Sequence, residues 1–142
     1  MTKNRVAPPL WREDIDGWLV ALKAGGRSEQ TLLTRRRKMA YAACCLDAGP
    51  YDVTCERITA WFAAQEWKPE TRKAYRNTLS SFFGWLQQMG RRADNPSDGL
   101  PKVKRPRPHP RPCPDKVILA ALAHATPEER LMLRLGAECG LR

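Results

Sequence analysis

The sequence predicts an all-α protein: a four-helix bundle, a basic proline-rich linker, and two further helices. Three observations predict it. Apolar residues recur at helical spacing in separate segments. Helix start and stop residues bracket those segments, and no segment shows convincing strand alternation. The chain has 142 residues, 42% of them hydrophobic, which suffices for a packed core in one domain or one small domain plus a fragment.

Trp11, Ile15, Trp18, Leu19 and Leu22 share one face of a first helix, which Gly25-Gly26 stops. Ser28 is placed to cap a second helix, running to about Ala48 before Gly49-Pro50. Thr54 can cap a short third helix, with Ile58, Trp61 and Phe62 on one face. Pro69 suits the first turn of a fourth helix, where a missing N–H leaves nothing unsatisfied. The face of that helix reads Tyr75, Leu79, Phe82, Phe83, Leu86 and Met89, and Gly90 ends it. Such an aromatic stripe is expected to be core. The second and fourth helices align weakly, with only Thr31 and Thr71 identical, which suggests similar placement in one bundle.

From Pro101 to Pro112 the composition changes to five prolines and five cations with no acid. Proline removes backbone donors and fixes φ, so an extended, fairly stiff linker is expected. Beyond it, Val117, Ile118, Ala121, Leu122 and Ala125 outline a fifth helix. Thr126-Pro127-Glu128-Glu129 is a strong start signal for a sixth, with Glu129 where a capping box needs it. Leu131, Met132, Leu135 and Cys139 are expected to form its buried face, and Gly140 its end.

The net charge is +10, and its distribution is informative. Residues 1–26 carry about +1 and residues 113–142 sum to zero, so the excess lies between Arg27 and Arg111. Such a concentration points to a polyanion. A membrane is not the expected partner, since there is no long apolar run and no signal-peptide pattern. The five cysteines include an adjacent pair and no Cys-x-x-Cys, which fits reduced thiols in a cytoplasm. His109 and Cys113, four apart in a proline-rich stretch, are poor support for a metal, and no metal or other cofactor is expected.

Three groups of side chains are candidates for DNA contact. On the second helix, Arg36, Arg37 and Lys38 are placed to reach phosphates, whereas Arg35 shares the stripe of Met39 and is expected to snorkel over the core. On the fourth helix, Thr71, Arg72, Lys73 and Arg76 lie in the first two turns. There the free N–H groups and the dipole favour phosphate, and arginine could reach guanine edges. In the linker, Lys102, Lys104, Arg105, Arg107 and Arg111 form an extended basic strap, suited to tracking a phosphate backbone.

Thr71…Tyr75…Leu79…Phe82…Trp85, then Asn95-Pro96, resembles the end of the core-binding domain of tyrosine recombinases, the phage integrase family. A basic linker, a short helix and a helix closing on Gly140-Leu141-Arg142 follow in the family's order, so the resemblance covers about residues 10–142. It implies a tail at 1–9, a SAM-like core-binding domain at 10–100, a linker at 101–113, and the start of a catalytic domain at 114–142.

By the same resemblance, the bundle would clamp one face of a recombination site, with its second and fourth helices toward the major groove. Arg142 would be the first catalytic arginine, on the scissile phosphate. A planar, permanently charged donor fork stabilises the negative charge that attack places on non-bridging oxygens. The family's lysine, second arginine, histidine or tryptophan, and nucleophilic tyrosine all come after that first arginine and have no place here. Tyr41, Tyr51 and Tyr75 lie upstream and are not proposed as nucleophile.

The expectation is therefore a chain that binds double-stranded DNA without cutting it. It would be the N-terminal part of a recombinase that integrates or excises a mobile element, in the cytoplasm at the nucleoid. Its partners would be the recombination site and other recombinase protomers, with no membrane and no small-molecule substrate. A stand-alone, non-catalytic DNA-binding regulator derived from a truncated recombinase is the alternative. A helical protein–protein module is a weaker third reading. The apolar faces of the last two helices would lack a domain to pack against, so residues 114–142 are expected to be poorly ordered or to self-associate.

Overall fold

The computed structural model describes residues 5–104 and 112–140. Six helices follow in order: α1 Pro9–Ala24, α2 Glu29–Leu46, α3 Cys55–Ala63, α4 Pro69–Gln88, α5 Asp115–His124 and α6 Pro127–Glu138. No strand occurs among the described residues. The chain divides into two compact units, Met1–Pro106 and Arg107–Arg142.

Local chemistry accounts for most helix ends. The Ser28 and Thr54 side chains accept the Thr31 and Arg57 backbone N–H groups, so α2 and α3 start where capping residues stand. Pro9 and Pro69 open α1 and α4. Gly26 and Gly90 adopt φ of 79° and 67°. In each case the chain turns back, so that Arg27 N–H reaches the Leu22 carbonyl and Arg91 N–H the Leu86 carbonyl. The α2 end differs from expectation. The helix stops at Leu46, and Asp47 takes the left-handed conformation at φ 45°, two residues before Gly49. Aspartate tolerates that region better than most residues.

The core of the first unit lies between α1, α2, α3 and α4. Phe82 is its centre, with Trp11, Trp18 and Phe83 rings 5.8, 5.5 and 5.3 Å away. Both α1 indoles are satisfied: Trp11 Nε1 donates to the Ala48 carbonyl and Trp18 Nε1 to Ser81 Oγ. Gly17 lets α1 approach α4, since a Cβ there would lie 3.0 Å from the Trp85 ring. Met89, expected on the α4 stripe, is instead 57% exposed, because the helix unwinds around it as its C-cap. Leu100 is buried and ends the bundle.

A polar latch crosses the core margin. Asp14, buried on α1, accepts from Tyr51 Oη at 2.9 Å and from Arg91 Nη1. Arg92 donates to the Pro50 and Val53 carbonyls at 2.8 and 2.6 Å and pairs with Asp94. Arg91 thus ties the turn after α4 to α1, and Arg92 ties it to the connection between α2 and α3.

In the second unit α5 packs on α6, and Arg130 Nε donates to the Leu122 carbonyl. The predicted capping box is present: Thr126 Oγ1 accepts from Glu129 N–H, and the Glu129 carboxylate accepts from Thr126 N–H. That pairing holds the Glu129 carboxyl below the usual carboxylate range. The expected buried face of α6 is not buried. Leu131, Met132, Leu135 and Cys139 are exposed, since a two-helix hairpin offers each helix only one narrow seam.

Candidate nucleic-acid interface

The basic run of α2 is divided among several directions, as more than one helical turn requires. Arg35 lies over the Trp18 ring, 5.9 Å from its centroid, and Nη1 reaches the Asn77 carbonyl. The side chain therefore snorkels across α1 and α4, as its place on the stripe predicts. Arg36 is exposed and pairs with Asp16 of α1 at 2.8 Å. An exposed pair of this kind is worth about 0–1 kcal/mol, so its cation remains exchangeable toward a phosphate. Arg37 is exposed, with no acidic partner among the described residues. Lys38 is half-buried, its Nζ 5.9 Å from the Tyr75 ring centroid.

Lys38 thereby joins α2 to the N-terminal half of α4. Beneath it lies an aromatic cluster in which Tyr41 packs on Trp61 and Tyr75, and Tyr75 stacks on Trp67 at 4.2 Å. Burial lowers the Lys38 pKa, with the Arg35 charge adding to the effect. Burial likewise lowers that of Arg35, and Arg27 contributes. Arg35 thus feels the Arg27 charge and Lys38 feels that of Arg35, repulsions that an approaching anion would relieve.

Burial pushes Tyr75 up to about 12, aided by Tyr41 and Cys45. The folded state therefore holds the Tyr75 proton where an unfolded chain would release it near the ordinary tyrosine value of 10.0. This contribution is fully present below that value and is lost as the pH climbs toward about 12. Tyr75→Phe is expected to flatten the fall in stability across this window and to remove the latest-titrating phenolate from a 295-nm absorbance titration.

On α4 the four candidates part company. Thr71 is exposed and Lys73 half-buried, both in the first two turns. Arg72 turns the other way, donating to the Phe62 and Gln65 carbonyls at 2.7 Å each and so capping the end of α3. Arg76 Nη2 reaches the Leu100 carbonyl at 3.4 Å, and its Nε is buried without a partner among the described residues. Both guanidiniums serve the fold in the structure, a role that spacing along the helix could not show. Lys102 and Lys104 are exposed beside Arg72. Arg105, Arg107, Arg111 and Arg142 lie outside the described residues, as does His109.

One feature had only a weak signal in the sequence. Phe62, Trp67, Pro69 and Leu100 line a groove of about 390 Å³ with Arg72, Lys102 and Lys104 on it. The nearest clue was Trp67-Lys68-Pro69, an aromatic residue and a proline beside a helix start. Among the described residues, no cluster of three metal-ligating side chains occurs, all five cysteines are free, and no helix is long and apolar enough to cross a membrane.

This chain is similar to the integrase from mycobacterium phage Brujita, with 31% identity and a TM-score of 0.67 across 94% of its length. The fold is integrase-like. The chain spans 47% of the length of that integrase. No protein-family model and no curated protein matches it. The likeness extends to sequence as well as backbone, and it takes in both helical units of the chain.

Proposed function

We propose that this chain is the DNA-binding N-terminal portion of a site-specific tyrosine recombinase of the phage-integrase type. The likeness to a phage integrase in both sequence and fold is the observation that carries this reading. The first unit is the core-binding, SAM-like domain, and the second is the beginning of the catalytic domain. Arg36, Arg37 and Lys38 on α2 and Thr71 and Lys73 at the start of α4 face the phosphates. The linker cations Lys102, Lys104, Arg105, Arg107 and Arg111 strap the backbone. Arg72 and Arg76, from the same two turns of α4, also hold the end of α3 and Leu100. Arg142 is the first arginine on the scissile phosphate, and strand cleavage needs the nucleophile and further catalytic groups of the whole enzyme. Other recombinase protomers on the same site are the expected protein partners.

Fluorescence anisotropy with double-stranded DNA across a salt series tests this. Affinity falling steeply and log-linearly with salt is expected, with a shallower slope once the five linker cations are alanine. Absent or salt-insensitive binding would sink the reading and favour a protein-interaction module.

A further inference from the structure

We infer that the groove between the end of α3 and residues 100–104 takes a single unpaired nucleotide of the bound DNA. This rests on the DNA-binding reading and extends it to a groove at the start of α4. The walls have two characters. Trp67 and Pro69 offer apolar surface over the largely buried Phe62, while Lys102 and Lys104 supply two exposed cations beside Arg72, whose guanidinium is bonded to the end of α3. No acidic residue lines the groove.

That combination selects an aromatic anion. A base has a π-face for which stacking on Trp67 and Pro69 needs no hydrogen-bond code, and its phosphate meets the lysines. A peptide strand would need backbone partners, and Thr59 is the sole uncharged polar side chain in the lining. A fully paired duplex presents no free base to such a wall. The volume of about 390 Å³ falls within the range of small-molecule sites. Trp67 is held for this role by Tyr75, stacked at 4.2 Å with an interplanar angle of 6°, and by Trp61 and Phe62 edge-on. Lys102 and Lys104 are exposed, at the start of the basic strap. A strand tracked by the strap would therefore pass the mouth of the groove.

The test compares the whole chain on two duplexes of one sequence, one fully paired and one with a central unpaired adenosine. Binding is read by anisotropy, and stacking by quenching of tryptophan fluorescence. About tenfold tighter binding of the unpaired duplex is expected, together with quenching that Trp67→Ala abolishes. Ala63→Trp fills the groove from an exposed position at the end of α3, so it should fold normally. It should erase the preference while leaving affinity for the paired duplex within about twofold. Equal, salt-sensitive affinity for both duplexes would overturn the groove inference and leave the DNA-binding reading standing. Binding to neither would overturn both. A preference that survives Ala63→Trp would place the base elsewhere. An acidic aromatic peptide bound in the groove, with no preference between duplexes, would mark a protein ligand and equally overturn the inference.

Discussion

Phe82→Ala is expected to destabilise the first helical unit by about 3–5 kcal/mol. The ring is fully buried where α1 meets α4, in contact with Trp11, Trp18 and Phe83. Truncation removes its transfer free energy and leaves a cavity walled by two indoles. These cannot collapse inward without breaking the bonds from Trp11 Nε1 to Ala48 and from Trp18 Nε1 to Ser81. Domains of this size are stable by only about 5–15 kcal/mol, so the variant would sit close to its unfolding threshold. Urea unfolding followed by tryptophan fluorescence should show the midpoint falling with the slope unchanged. Met89→Ala, an apolar truncation at the C-cap of the same helix, should stay within about 0.5 kcal/mol because its side chain is exposed. Near-equal effects of the two would show that Phe82 is not the packing centre.

The second large effect separates cations that bind from cations that build. If Arg37 and Lys38 face phosphates, changing both to alanine should lower the slope of log affinity against log salt by about 2, since each contact contributes about 0.9. Thermal stability should change little for Arg37, which is exposed. Arg72→Ala should behave oppositely. Losing two charged hydrogen bonds to the end of α3 should lower stability by about 1–2 kcal/mol and leave the salt slope unchanged. A full unit of slope lost with Arg72→Ala, and no loss of stability, would place that guanidinium on DNA.

The two kinds of cation differ in how legible they are in the sequence. Arg35 was legible, because it occupies the apolar stripe of Met39 and an arginine there has to bend its charge out over the core. The fold contacts of Arg72 and Arg76 were not. On a helix drawn alone they share a face near a positive dipole end, which favours phosphate. Their partners are carbonyls: Phe62 and Gln65 at the end of α3, which the short turn into α4 folds back onto Arg72, and Leu100, 24 residues beyond Arg76. Arg91 and Arg92 count toward the net charge in the same way, yet both serve the latch around Asp14 and Val53.

The sequence by itself determined the helices, because their boundaries rest on local chemistry: Ser28, Thr54 and Thr126 as caps, Pro69 in a first turn, Gly26 and Gly90 with positive φ. It also determined the aromatic core of α4, whose period of 3.6 leaves one face to bury. Only the tertiary structure decided which cations stay free, that Asp14 is buried with partners from two turns, and that Trp67 forms a groove with Lys102 and Lys104. Periodicity specifies which face of a helix turns inward. It carries no information about which carbonyl, ring or carboxylate a distant segment will bring to that face.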